Sequence, residues 1–330
     1  MSIITKSHRE RFELAIIIPA FNESQTIKET IQEFHNVVEY AFFVIVDNNS
    51  CDDTASKASR TLTESGALGC VVTESRQGKG WALRTGFSSV DADIYVICDA
   101  DCTYPAAAIE ELLAPIKLGH ADMVIGNRHT SGDYGRETNR SLNHLGNLVV
   151  PKIINFLFSA KIGDIFSGYR AFSREFIYNF PILSTGFEIE TEMSLHALDK
   201  RFRVMEISIG YKKRPPGSVS KLSAVRDGMR VLLLIFKILG YYKPLYLFGA
   251  LAAIFSAAGG IIGLIPIHQY VTTGFIPSIP SAILAAGMEV ISLMFLSIGL
   301  VSDAVARHHR FDFELSLNSW RRETRKFSRF

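Results

Sequence analysis

Two aspartates one residue apart, Asp99 and Asp101, follow directly on the apolar run Ile94-Tyr-Val-Ile-Cys98. Just past a buried strand, both carboxylates can turn toward one hard cation. Mg2+ or Mn2+ prefers oxygen ligands and commonly shares them with substrate phosphates, so Asp99 and Asp101 are the candidate metal ligands. A metal held there neutralises charge that develops on a diphosphate leaving group. Acidic turns are common on surfaces, and it is the place of this pair behind a buried strand that marks it. Asp47 closes an earlier apolar run, Ala41 to Val46, where it can accept hydrogen bonds from a base or ribose. The turn Gln77-Gly-Lys-Gly80 precedes a helical pattern. Gly78 and Lys79 thus offer backbone N–H groups, a helix terminus and an ammonium to a phosphate. The spacing GxxxxGK[ST] of a P-loop is absent.

The elements that must position these groups alternate regularly. Apolar runs at Leu14–Ile18, Ala41–Val46, Gly69–Thr73 and Ile94–Cys98 read as strands. Helical patterns at Ser24–Tyr40, Thr54–Glu64 and Trp81–Ser89 lie between them. Such alternation predicts an α/β fold with a mostly parallel, Rossmann-like sheet and right-handed crossovers. Ligands of these sheets sit beyond the carboxyl ends of the strands. Asn22-Glu23, Asp47-Asn48-Asn49 and Asp99-Ala-Asp101 all fall at such ends, and that coincidence carries the functional reading.

Past residue 243 the composition changes. Charges vanish between Lys243 and Glu289, and the apolar stretches Pro244–His268 and Ser281–Ser302 are each long enough to span a bilayer, which takes about 20 residues per helix. The flanks are basic, with Lys237 and Lys243 before and Arg307 and Arg310 after, while the connector Gln269–Pro280 has no Lys or Arg. The positive-inside rule then places both ends of the hairpin, and both termini, in the cytoplasm, as a multi-pass protein of the inner membrane. Leu222, Val225, Met229, Leu232 and Phe236 recur at helical spacing among basic residues, as in a helix lying in the headgroup layer. Residues 1–214 are expected to form the catalytic domain, 215–243 a basic amphipathic juxtamembrane segment, 244–303 the transmembrane hairpin and 304–330 a basic tail. With 330 residues and a net charge of only +2, nothing in bulk points to nucleic acid. Cys51, Cys70, Cys98 and Cys102 form no CxxC pair, and free thiols are expected. Glu289 lies inside the second span, and Gly259, Gly260 and Gly263 can let helices approach closely, a pattern compatible with a homo-oligomer.

Ile18-Pro-Ala-Phe-Asn-Glu23, Val46-Asp-Asn-Asn-Ser50, Gly78-Lys-Gly80 and Asp99-Ala-Asp101 resemble, in order, the motifs of family-2 glycosyltransferases of the GT-A fold. Asp164-Ile-Phe-Ser-Gly-Tyr-Arg-Ala-Phe172, Gly186-Phe-Glu-Ile-Glu190 and Arg214-Pro-Pro-Gly-Ser-Val-Ser-Lys221 resemble segments of the polyprenyl-phosphate branch. That branch includes dolichol-phosphate-mannose synthase and bacterial undecaprenyl-phosphate enzymes. The resemblance implies that Pro19, Ala20, Glu23 and Asp47 line the nucleotide pocket with Gly78 and Lys79 near it, and that Asp99 and Asp101 hold the metal and sugar diphosphate. It further implies that Arg128, Ser167, Arg170, Arg214 and Lys221 receive the lipid phosphate. Asp164 is the candidate for orienting the acceptor or assisting proton removal; a structural pairing with Arg170 is the alternative. One departure stands out: Thr103 occupies a position where the family commonly has Gln.

The implied partners are a nucleotide sugar, a polyprenyl phosphate and the bilayer, and the implied reaction is inverting sugar transfer from a UDP-sugar to undecaprenyl phosphate. A processive polysaccharide synthase would share the donor fold, but its Gln-x-x-Arg-Trp motif is missing. A non-catalytic nucleotide-binding adaptor would not need Asp99, Asp101, Arg170 and Arg214 intact.

Overall fold

The computed structural model describes residues 11–128, 141–186, 188–210, 212 and 235–327, with side chains left undescribed at 141–148 and 325–327. Arg214, Lys221 and residues 215–234 of the amphipathic segment lie outside the described residues. The chain divides into two compact units, Met1–Asp227 and Gly228–Phe330.

In the first unit, β1 (Phe12–Ala20), β2 (Phe42–Asp47), β3 (Gly69–Thr73) and β4 (Ala92–Ile97) run parallel, with α1 (Ile27–Val37), α2 (Thr54–Ser65) and α3 (Lys79–Ser88) as crossovers. The strands read as unbroken apolar runs because both sheet faces are covered; Leu14 to Ile18 and Phe43 to Val46 are fully buried. Register brings the carboxyl ends flush, with Ala20 opposite Asp47 and Asp47 opposite Thr73. After α4 (Ile109–Lys117) come β5 (Met123–Asn127), α5 (Ser141–Phe158), β6 (Arg170–Ser173), the short α6 (Arg174–Tyr178), α7 (Ile189–Asp199) and β7 (Val204–Ser208). The seven strands are ordered β3-β2-β1-β4-β6-β5-β7. β6 runs antiparallel between β4 and β5, with Arg170 opposite both Ile97 and Ile125. The loop that precedes it therefore arrives at the edge where the parallel strands end.

On α7, the His196 side chain sits in an aromatic pocket of Phe176, Phe180 and Phe202, with ring centroids 5.1–6.0 Å away. Burial, reinforced by the neighbouring Lys200 charge, lowers its pKa from 6.5 to about 4.

In the second unit, α8 (Pro244–Thr273) and α9 (Ile279–Phe327) form an antiparallel pair, both long and apolar enough to cross a membrane and mostly exposed along their apolar stretches. α8 continues beyond His268 to Thr273 before Gly274, with φ +71°, turns the chain. The expected connector from residue 269 thus shortens to 274–278, because Gln269–Thr273 continue the backbone ladder of the apolar span. α9 likewise runs unbroken through the expected basic tail as far as Phe327. Within the hairpin a Cβ on Gly259 would lie 3.2 Å from Met288 Cβ and one on Gly299 3.0 Å from Phe248 Cβ. Ser292 Oγ donates to the Ala252 carbonyl (2.8 Å) and Ser256 Oγ to Glu289 (3.0 Å). Glu289 and Gly259 thus serve contact between the two helices of one chain, whereas nothing lies within 4 Å of the Gly260 position.

Because the His196 pKa is lower folded than unfolded, the unfolded chain takes up the proton first. Stability from this site is complete above pH 6.5 and falls as the pH drops toward 4, by on the order of 2 kcal/mol. Thermal melts of the detergent-solubilised chain across that range should show the loss, and His196→Leu should flatten it.

Candidate active site

The ends of β1 and β2 and the start of α3 are joined through one residue, Asn48. The Asn48 backbone N–H donates to the Ala20 carbonyl (2.8 Å), and its carboxamide donates to the carbonyls of Glu74 (3.2 Å) and Arg76 (2.7 Å). Its Oδ1 accepts from Gly78 N–H (2.8 Å). Asp47, next to it, is only 6% exposed, and its Oδ1 is buried with no hydrogen-bond partner among the described residues. A buried carboxylate oxygen left unpaired is costly, so this atom is open to a donor from outside the described residues. Glu23 stands in the loop after β1, where it accepts from Thr26 Oγ1 (3.1 Å) while its N–H donates to Thr54 Oγ1 (2.9 Å).

The glycines of the turn are imposed by packing. Gly78 has φ +138°, and a Cβ there would lie 2.0 Å from the Thr185 carbonyl oxygen. A Cβ on Gly80 would lie 1.9 Å from the Ser184 oxygen, and Gly80 N–H donates to Thr185 (3.1 Å). The segment leading into α7 thus lies directly on the turn.

Lys79, the first residue of α3, places Nζ 2.5 Å from Asp99 Oδ1 and 2.6 Å from Glu190 Oε1. Burial opposes its charge, but the two carboxylates outweigh that and hold its pKa above the ordinary lysine range. Asp99 remains 30% exposed at the side chain. Asp101 is buried, and its Oδ1 accepts from Thr103 Oγ1 (2.6 Å) and Thr103 N–H (3.2 Å). The residue that departs from the family pattern therefore orients the second aspartate. Lys212, two residues before Arg214, is tied to the same place: its N–H donates to the Thr103 carbonyl (2.9 Å) and its ammonium pairs with Glu33 (2.7 Å).

The loop before β6 closes the other side. A Cβ on Gly168 would lie 2.8 Å from Asp99 Oδ2 and 2.9 Å from Lys79 Nζ, and Gly168 N–H donates to the Tyr104 hydroxyl (2.9 Å). Asp164 takes a two-pronged ion pair from Arg128, Nε to Oδ2 at 2.7 Å and Nη2 to Oδ1 at 2.9 Å, both residues buried. Arg128, not Arg170, is its cationic partner. Arg170 is fully buried, and its donors go to the carbonyls of Ser167 (2.8 Å) and Ile165 (2.5 Å) and to Ser194 Oγ (2.9 Å). Burial lowers its pKa to about 10. These hydrogen bonds tie Arg170, the first residue of β6, to the loop that precedes it and to α7. Ser167 is likewise buried, 3.4 Å from Tyr169 N–H. Cys98 and Cys102 are buried free thiols beside the acidic motif, with Cys102 Sγ 3.1 Å from Thr30 Oγ1.

Three residues with no expected role emerge. Glu190 holds Lys79, Tyr104 holds Gly168, and Glu206 accepts from the N–H groups of Gly163 and Asp164 (2.9 Å each). Glu190 stands in the quoted Gly186–Glu190 motif, but its partner lies more than a hundred residues earlier, beyond any local spacing signal.

A seven-stranded, mostly parallel sheet with acidic and cationic groups gathered at its carboxyl edge defines the GT-A class. Residues 15–180 match the family model described as glycosyl transferase family 2. "Glycosyltransferase AglJ" of Haloferax volcanii is 30% identical over 298 residues, covering 90% of this chain and 95% of the relative. The chain belongs to glycosyl transferase family 2. "Polyprenol monophosphomannose synthase" of Mycolicibacterium smegmatis is 28% identical, over 65% of this chain and 83% of its own. "Dolichyl-phosphate hexose transferase" of Haloferax volcanii is also 28% identical, over 61% of this chain and 84% of its own. Among solved structures, glucosyl-3-phosphoglycerate synthase from Mycobacterium tuberculosis, in complex with Mn2+, UDP and phosphoglyceric acid, superposes with a TM-score of 0.54 at 22% identity. That pairing covers 68% of this chain and 78% of the other, and it establishes the shared fold.

Gly80→Ala should force the Ser184–Thr185 backbone off the turn and cost about 2 kcal/mol, seen as a lower melting temperature together with weaker nucleotide binding. Arg170→Met should strand buried carbonyls and cost roughly 3 kcal/mol, and Arg170→Lys should not restore stability, because an ammonium lacks the guanidinium fork.

Proposed function

We propose that this chain transfers a sugar from a nucleoside-diphosphate sugar, with a UDP-sugar favoured, to the phosphate of a membrane polyprenyl phosphate, undecaprenyl phosphate, with inversion at the anomeric carbon. The observation that carries the reading is a family 2 donor site followed in the same chain by two helices long and apolar enough to cross a bilayer. The names of the polyprenol- and dolichyl-phosphate relatives support the acceptor class.

On this reading the unpaired Asp47 Oδ1 accepts from the base or ribose, with Pro19, Ala20 and Glu23 around it. The N-terminus of α3 and Lys79 face the diphosphate. The donor set at Asp99 and Asp101 fits a hard divalent cation: both offer oxygen only, Thr103 fixes Asp101, and Asp99 is partly open. Mg2+ or Mn2+ bound by these two residues supplies charge neutralisation to the departing diphosphate. A phosphate oxygen of the acceptor forms the new bond to the anomeric carbon as the bond to the diphosphate oxygen breaks, and the nucleoside diphosphate leaves with the electron pair. The acceptor phosphate is already ionised near neutral pH, so no strong base is required, and positioning and electrostatics carry the rate. Arg128, Ser167, Arg170, Arg214 and Lys221 are the residues assigned to the acceptor phosphate. Asp164, ion-paired with Arg128, is the residue assigned to orienting the acceptor or assisting proton removal. The catalytic unit and both termini lie on the cytoplasmic side of the inner membrane, and the lipid-linked sugar serves surface-glycan modification after translocation.

Purified protein incubated with undecaprenyl phosphate, Mn2+ or Mg2+ and a panel of radiolabelled nucleotide sugars should move label from one donor into the organic phase. EDTA should abolish the transfer, and Asp101→Asn should reduce it by about a hundredfold or more. Donor binding without lipid-phase label from any donor sinks the lipid-phosphate reading and points to a glycan acceptor.

A further inference from the structure

Lys79 is held by two carboxylates with unequal surroundings. Glu190 is sealed, its side chain 8% exposed like that of Lys79, whereas Asp99 is 30% exposed. Asp99 is also the residue that the donor-site reading assigns to a divalent cation. One of its two oxygens is already taken, since Lys79 Nζ lies 2.5 Å from Asp99 Oδ1. The backbone at Gly168 crowds the same pair, leaving no room for a side chain within 3 Å of either Asp99 Oδ2 or Lys79 Nζ. An ammonium and a divalent cation on one carboxylate repel each other strongly where water is scarce. A divalent cation at Asp99 therefore competes with Lys79, and an ammonium that leaves Asp99 needs a buried partner. Glu190 stands at 2.6 Å on its other side. With Asp101 included, this cluster carries two more negative charges than positive ones, which one divalent cation balances.

We propose that Lys79 is a resident counterion of Asp99 that the metal displaces, and that Glu190 is the positioning residue that receives and keeps its ammonium beside the donor diphosphate. The inference rests on the donor-site reading above. Glu190 touches no reacting atom in this scheme and acts through Lys79. Metal entry and phosphate capture become coupled: the cation that takes Asp99 releases Lys79 toward the phosphates, and Glu190 prevents it from falling back. If Glu190 were only a brace between α3 and α7, its loss would lower stability and leave metal affinity alone.

The test is Mn2+ titration of the full-length, detergent-solubilised protein, followed by the electron paramagnetic resonance of free Mn2+, with and without UDP, beside thermal melts. Glu190→Gln should weaken Mn2+ binding about tenfold, because Lys79 then competes for Asp99 undivided. Lys79→Met should tighten Mn2+ binding while weakening UDP. The double variant Lys79→Met/Glu190→Gln, which buries no unmatched charge, should bind Mn2+ at least as well as the unaltered chain. Unchanged Mn2+ affinity in Glu190→Gln, or a double variant as weak as Glu190→Gln, overturns the inference while leaving the donor site in place. Failure of the unaltered chain to bind Mn2+ with or without UDP overturns both the inference and the metal assignment. The expected pattern without lipid-phase label would refute only the acceptor.

Discussion

One strand running against its neighbours sets the layout of the active edge. β6 enters the sheet between β4 and β5 in the antiparallel sense, so the chain must arrive at the edge where β1, β2 and β4 finish. The loop 163–169 is thereby delivered beside Asp99 and Lys79. Arg170, the first residue of β6, pins that loop from beneath by donating to Ile165 and Ser167. A fully parallel sheet would carry the same acidic motif with nothing opposite it. Glu206 on β7 secures the start of the loop, and Tyr104, in the segment after β4, secures it near its end at Gly168.

Charge pairing then decides which side chains face the cleft. Lys79 and Arg128 are both almost buried, a condition tolerated only when each cation meets a carboxylate of good geometry. Asp99 and Glu190 serve Lys79, and Asp164 serves Arg128 through two hydrogen bonds. Because these groups are desolvated, their mutual fields are stronger than on a surface. Asp47 is the counter-example, since its buried Oδ1 has no partner among the described residues. A folded chain retains such an atom at a cost.

The second unit pairs two helices long and apolar enough to cross a membrane. Where helices associate in hydrocarbon, little is gained from burying leucine, so close approach and polar contacts take over. α8 and α9 meet at Gly259 and Gly299, and Ser256, Glu289 and Ser292 bridge them. Glu289 is occupied by contact within its own chain.

The sequence by itself determined the alternation of strands and helices, the polar clusters at strand ends, the acidic pair and the two apolar spans. Each of these is a local signal: unbroken apolar runs for strands covered on both faces, glycines in a turn, charges absent over the length of a span. Boundaries moved where pairing or capping overrode the pattern, as in β1, which extends from Phe12 through Pro19 to Ala20 against two partners. The tertiary structure alone decided who meets whom. Asp164 meets Arg128 rather than Arg170, Thr103 turns Asp101, and Glu190 reaches Lys79 across more than a hundred residues. No periodicity encodes these pairings, because they depend on the order and direction of strands, and the one reversed strand is specified by the whole sheet's packing rather than by its own four residues.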